Sequence, residues 1–326
     1  MTCNAGSTHK SIFVGLMGDV MLGRTLNEVI DHKGFDYPWG NMLKLLHQHD
    51  VNIINLETTL TRCREKAPKV FNFRADPEKV QSLQHAHIHI ANLANNHILD
   101  FTEKGLLETI QVLAKANIKS VGAGKDNIEA RAPLIYSVNG ITLGVLGFTD
   151  NEPSWNATAQ KPGTYYSKIN LSSTIFADIQ ALRSQVDKII VSVHWGPNNR
   201  EVPSHEFVQV AHRMIESGAD IIHGHSAHVV QGVEIYQGKI IFYDCGDFVD
   251  DYQVGPHRND HGFLCQVTLT KDKIQRVRLI PTLISHYQVN LAEGEDREEN
   301  LMRMKRLSKD FGTEFLERGQ CLEIVF

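Results

Sequence analysis

The chain has 326 residues, 42% hydrophobic and 22% charged, so it can bury a sizeable core and global disorder is excluded. Its formal charge of −5 at pH 7 argues against a bulk binder of nucleic acid or anionic membrane, which needs net positive charge. Cys3, Cys63, Cys245, Cys265 and Cys321 are scattered without a CxxC pair, so neither a disulfide framework nor a thiolate zinc site is indicated. In chain order, residues 1–9 read as a disordered polar tail. Residues 12–17 form an apolar run that predicts a strand, ended by Gly18 and Asp19. Residues 42–46 have helical spacing, 51–56 predict a second strand, and 57–75 form a polar connection. Asp76 before Pro77 predicts an N-cap and first helical position for a helix to about residue 86. A strand at 90–93 follows. Thr102 and Glu103 then open a helix with Leu106, Leu107, Ile110 and Leu113 on one face.

Asn139-Gly140 between the runs 133–138 and 141–148 is a strong hairpin signal. A loop at 149–163, a helix near 171–185 and a strand at 188–193 come next. A helix at 204–217 stops at Gly218, a strand covers 220–222, and 233–236 with 240–243 predicts another hairpin. Strands near 262–270 and 273–280, a charged helix at 296–310 and a last strand at 321–326 complete the chain. There is no repeat or low-complexity tract. The expectation is a mixed α/β protein, helices packed on mixed sheets, in one domain over 10–326. The polar start lacks the apolar core of a signal peptide, and no run approaches the ~18 apolar residues of a membrane span. A cytoplasmic location is therefore expected.

Residues able to bind metal gather at predicted strand ends. Asp19 follows the first strand; Asn55 and Glu57 end the second. Asn95, Asn96, His97 and Asp100 follow the third. His194 ends the strand at 188–193, and His223, His225 and His228 come after 220–222. Asp244, Asp247, Asp250 and Asp251 follow 240–243. The C-terminal ends of parallel strands converge on one crevice, where ligands bind. Histidine, carboxylate and amide oxygen together suit Zn²⁺, Mn²⁺, Fe or Ni²⁺ better than Ca²⁺. The set exceeds what one tetrahedral ion takes, and two ions sharing a bridging carboxylate are the usual machinery for hydrolysing phosphate esters.

Each residue alone has a plainer reading. Gly18-Asp19 is common turn chemistry, Glu57 can be a solvated strand end, and His194 a satisfied buried histidine. Gly224 is more telling, because it lets the backbone approach closely while His225 and His228 converge after a turn. His85, His87 and His89 read as one exposed edge, His47 and His49 as a solvated helix end, and His212 as a surface position. His257 and His261 near the acidic cluster stay open.

The segments GDVMLGR (18–24), NLETTLT (55–61), FNFRADP (71–77), LANNHILD (93–100), VHWG (193–196), GADIIHGHSAHVVQGVEIY (218–236) and YDCGDFVDDY (243–252) stand in one order. In that order the chain resembles the CapA family of poly-γ-glutamate capsule-synthesis proteins, a branch of the calcineurin-like metallophosphoesterase superfamily. The resemblance implies a four-layer α-β-β-α sandwich with two divalent transition-metal ions, Mn, Zn or Fe. It implies Asp19 and His228 on the first metal, Asn96, His194 and His225 on the second, and Glu57 where the bridging aspartate sits. His97 would assist the leaving group, and Arg74 would grip an anionic substrate group. Departures from the family pattern include Met21 where a histidine is usual, Glu57 for aspartate, and an extra residue between His225 and His228. Asp247 replaces the asparagine of an LGNF motif and, with Asp250 and Asp251, is expected to make an acidic rim suited to an amine or a further cation. The implied function is a dinuclear metal-dependent hydrolase, of a phosphate ester first and of a γ-glutamyl amide second. The rival is a non-catalytic accessory that binds an anionic polymer or synthase partner. No nucleic-acid partner and no membrane span are expected.

Overall fold

A computed structural model describes residues 11–326; the expected tail at 1–9 lies outside the described residues. Two sheets carry the architecture. The larger has ten strands and is parallel through Ile12–Val20, Val51–Leu56, Ile90–Asn92 and Lys119–Val121. Beyond Ile12–Val20 it turns antiparallel with His261–Leu269, Ile274–Ser285 and Cys321–Val325. The six-stranded sheet is parallel through Ile141–Thr149, Lys188–His194, Ile221–His225 and Lys239–Phe242, with antiparallel edges Leu134–Val138 and Val233–Tyr236.

The parallel strands are apolar on both faces because both faces are covered. Val14, Leu16, Ile53 and Ile90 of the larger sheet share one core with Val145, Ile190, Ile221 and Phe242 of the smaller. Met17, Ile54 and Ala91 point the other way, against Leu26, Leu83, Leu106 and Leu113 of the helices Arg24–Lys33, Val80–His85 and Thr102–Lys115. On the opposite outer face, Ile189, Val191 and Ile222 pack on Ile179, Leu182, Val210 and Met214 of Ile175–Arg183 and His205–Glu216. The result is the expected sequence of layers, helix, sheet, sheet, helix. Gly294–Ser308 lends Leu301, Met304 and Leu307 to the core between the sheets.

Several elements depart from expectation. The helix Arg24–Lys33 was not foreseen: its N-cap is Gly23, which has no side chain to signal a start, and only Leu26 and Ile30 are buried. Residues 42–46 split between a 3₁₀ turn, Tyr37–Met42, and a single turn of helix, Leu43–Leu46. Asp76 does not cap the turn after it; its carboxylate takes Arg74 Nη1 at 2.7 Å instead. The short strands Asp247–Val249, Gln288–Leu291 and Leu316–Arg318 carry too few residues for a period to show. Among the described residues, no helix is long and apolar enough to cross a membrane.

Candidate metal centre

The parallel strands of both sheets end at one place, and register sets the polar side chains beside one another. Asp19 pairs with Asn55 on one side and with Asp247 on the other. In the facing sheet His194 pairs with His225. Gly18 and Gly224 permit this packing: a Cβ on Gly18 would fall 1.8 Å from Gly246 O, and one on Gly224 2.1 Å from Tyr243 O.

Two groups of buried donors result, and Asp19 belongs to both. One is Asp19, His194 and His225; the other is Asp19, Glu57 and His228. Asp19 Oδ1 lies 3.8 Å from His194 Nδ1 and 3.7 Å from His225 Nδ1, and Oδ2 lies 3.4 Å from His228 Nδ1. Expectation gave the shared position to Glu57. In the structure Glu57 groups with one set only, and the carboxylate common to both is Asp19. Asn96 Oδ1 sits 3.0 Å from His194 Nε2, at the edge of the first group.

Glu57 is the informative residue. It is fully buried, and neither carboxylate oxygen has a hydrogen-bond partner among the described residues. Nearby nitrogens stop short of bonding: His97 Nε2 is 3.7 Å from Oε1 and His228 Nε2 is 4.0 Å away. Burial, and then the charge of Asp19, push the Glu57 pKa well above the ordinary value. A carboxylate buried without a partner is costly, and a cation at that position removes the cost.

The histidines of the two groups are poised differently. Burial pushes the His194 pKa down to about 3 and the His225 pKa well below normal, so both rings are neutral, as metal ligands must be. At His228, burial disfavours the charged ring, but Asp247, Glu57 and Asp19 outweigh it and hold the pKa well above normal. At Asp19, burial is outweighed by His228, His194 and His225, and the pKa falls. Imidazole, carboxylate and amide oxygen without thiolate fit the borderline divalent ions expected.

His97 stands between this centre and the solvent. Its Nδ1 is 2.5 Å from Asp100 Oδ2, its Nε2 faces Glu57, and its ring stacks on Phe73 at 3.8 Å. Asp100 Oδ1 in turn accepts from Lys69 Nζ at 3.0 Å. A cleft of about 1020 Å³ opens over His97, Asn96 and His228. Its wall includes Arg24 and Lys69, two cations that sequence reasoning missed. The Arg24 guanidinium carbon lies 5.4 Å from both the Phe73 and Tyr252 rings, and its Nε is 3.4 Å from Asp251. The only signal for Arg24 was its place at the end of GDVMLGR; Lys69, in a connection without periodicity, had none.

Two expected substrate contacts lie elsewhere. Arg74 donates through Nη1 to Thr61 O at 2.8 Å and to Asp76 at 2.7 Å, and it does not line the cleft. The parallel pairing of Arg74–Ala75 with Thr59–Leu60 turns it toward these partners. Asp247 is fully buried beneath His228, 2.9 Å from its Nδ1, rather than on a rim. Pairing with the end of Ile12–Val20 draws it inward. The open histidines also resolve. His257 lines the cleft, whereas His261 is buried beside Asp296 and Arg258, whose guanidinium already supplies the positive charge there.

Fold and site together define a class: a layered α/β protein with a buried histidine–carboxylate centre under a cleft walled in part by Arg24 and Lys69. The chain matches the family described as bacterial capsule synthesis protein PGA_cap over residues 14–252, and it belongs to that family. It is 33% identical to a probable polyglutamine synthesis accessory protein of Mycobacterium tuberculosis (strain ATCC 25618 / H37Rv), over 96% of each chain. It is 31% identical to the capsule biosynthesis protein CapA of Bacillus anthracis, over 89% of this chain and 70% of that one. Among solved structures, sulfate thiohydrolase SoxB of Thermus thermophilus aligns with a TM-score of 0.44 at 13% identity, over 89% of this chain and 47% of that one. A 5′-nucleotidase from Candida albicans SC5314 aligns with a TM-score of 0.41 at 13% identity, over 81% and 49%.

Proposed function

We propose that this chain is a hydrolase using two divalent transition-metal ions, with a phosphate ester as its first substrate class. The observation that carries the reading is Glu57, whose two buried oxygens, beside Asp19 and His228, lack hydrogen-bond partners among the described residues. Asp19, His194 and His225 would hold one ion, with Asn96 holding the far nitrogen of His194; Asp19, Glu57 and His228 would hold the other. Bound there, such ions supply a hydroxide at neutral pH and offset charge on the reacting oxygens.

The chain's own groups do the rest. Asp100 holds the Nδ1 proton of His97, so Nε2 bears the lone pair: it would take up the proton released by the attacking water, with Asp100 stabilising the charged ring, and then pass it to a leaving oxygen in the cleft. Phe73 fixes the plane of that ring. Arg24 and Lys69 attract the anionic substrate, and the rings of Phe73 and Tyr252 keep the guanidinium extended over the cleft.

The names of the relatives, a synthesis accessory protein and a capsule biosynthesis protein, favour a second reading, an accessory role that binds an anionic polymer without chemistry; a variant of the first reading has the same centre cleave or transfer a γ-glutamyl amide. One experiment separates these. The purified protein is stripped with a chelator, reloaded with Mn²⁺ or Zn²⁺, analysed for metal, and assayed on aryl phosphate esters and on poly-γ-glutamate. Two equivalents per chain, lost in His225→Ala, with metal-dependent phosphoester turnover, are expected. Metal-dependent shortening of the polymer alone selects the amide reading. Absence of metal uptake at millimolar concentration overturns the hydrolase and leaves the binding role.

A further inference from the structure

We infer that Ser192 and His223 form a buried relay that fixes which ring nitrogen of His225 carries the proton, and thereby presets the centre for a cation. The inference rests on the metal-binding reading above.

The relay starts from a group with no choice. Met17 C=O can only accept, and it lies 2.8 Å from His223 Nε2, so that nitrogen carries the proton. The neutral ring then offers Nδ1 as an acceptor. Ser192 Oγ lies 3.1 Å from this Nδ1 and donates its one proton to it. The same oxygen is 3.0 Å from His225 Nε2 and, with its proton committed, can only accept there. His225 therefore carries its proton on Nε2 and turns a bare Nδ1 toward Asp19 and His194. The Cys245 thiol also borders His223, but a thiol is too weak a donor to dictate the pattern.

His194 is fixed in the same sense from the other side. Asn55 Oδ1 accepts from Asn92 at 3.0 Å and from Asn95 at 3.2 Å, so its amide nitrogen faces the centre. There it donates to Asp19 Oδ1 at 2.7 Å and to His194 Nδ1 at 3.2 Å. Nδ1 of His194 thus carries no proton either, and its Nε2 donates to Asn96 Oδ1. Two lone pairs face each other across 3.0 Å with a carboxylate beside them. A cation satisfies that arrangement. Without the relay, His225 would move its proton to Nδ1, donate to His194 and close the site on itself.

Met17, Ser192, His223 and His225 are fully buried, and Ser192 and His223 are partners across neighbouring strands. Both are positioning residues. Outer partners of this kind typically change metal affinity about 10–100-fold when removed.

The test is ¹⁵N NMR of histidine-labelled, metal-free protein at pH 8, above the ordinary histidine value of about 6.5. Wild type should show His225 protonated on Nε2. Ser192→Ala should populate the Nδ1-protonated form and bind Zn²⁺ about 10–100-fold more weakly, and Ser192→Thr, which keeps the hydroxyl, should restore both. A wild-type His225 protonated on Nδ1 overturns the relay, as does Ser192→Ala with unchanged tautomer and affinity. Failure of the metal reading looks different: wild type takes up no Zn²⁺, and the NMR pattern still decides the relay.

Discussion

At the residue scale, His97 lines the cleft, with its Nε2 toward Glu57 and its Nδ1 held by Asp100. It touches neither His194 nor His225 within bonding distance, so deleting it should spare the metal and remove a proton donor. His97→Ala is expected to lower turnover about 10²–10⁴-fold with metal content unchanged; steady-state hydrolysis beside elemental analysis reads both, and unaltered turnover would end the assignment. That Asp19, Glu57, His194, His225 and His228 come together was legible in sequence because each lies at or just after a strand end, and strand ends converge. Arg74 and Asp247 were misplaced for a shared reason. Whether a side chain points to a cleft or into the protein depends on how short strands pair, and Arg74–Ala75 and Asp247–Val249 are too short to show it.

At the scale of elements, close backbone approach matters more than propensity. The strand Ile221–His225 carries Gly224 against Tyr243 O, where an added Cβ would sit at 2.1 Å from a carbonyl that cannot swing aside. Gly224→Ala should cost about 3 kcal/mol in urea unfolding and weaken metal uptake, because His225 shares the displaced strand. Wild-type stability and uptake would show that the strand yields more easily than its packing suggests. Glycine at this position was readable as a site feature in the sequence; its partner carbonyl, 19 residues on, was not.

The histidine edge before Ile90–Asn92 behaves as its alternation predicts, with His85 and His87 exposed and Ile88 and Ile90 buried. His89 is half-buried and accepts the Asn52 N–H through Nδ1 at 3.1 Å, a role only the neutral ring can fill. Burial, reinforced by the charge of His87, lowers its pKa to about 4. The unfolded chain therefore takes up that proton more readily than the folded one. Its contribution to stability is full above about pH 6.5 and is lost as the pH falls toward about 4. After discounting for partial exposure, about 1–2 kcal/mol should disappear over that window. Urea midpoints at pH 7.5 and pH 5 measure it, and His89→Gln, which keeps an acceptor without titrating, should show a smaller difference. An equal difference in the variant would move the cause to another group.

For the molecule as a whole, the first strand and the last strands complete one sheet. Helices packed on mixed sheets were legible because parallel strands read as continuous apolar runs, while the four-layer order came from the family resemblance. The charge carried inside those layers was less so. Asp19, Glu57, Asp244, Asp247 and Asp250 are all buried near the junction of the two sheets. Without a counter-charge they oppose folding; with one they reward it. Filling a site at a hundredfold excess over Kd stabilises by about 2.7 kcal/mol, or about 4 °C in Tm for a chain of this length. Glu57→Gln keeps the shape and removes a carboxyl whose charged form burial disfavours and which has no partner among the described residues. Its metal-free form should melt above metal-free wild type, since the penalty on the buried carboxylate is gone. Its Tm should respond less to Mn²⁺ or Zn²⁺, since one donor to the second group is lost. Differential scanning calorimetry with and without chelator gives all four values. A variant less stable than wild type in chelator would mean that Glu57 is satisfied without metal. A variant with an undiminished metal response would place the ion elsewhere.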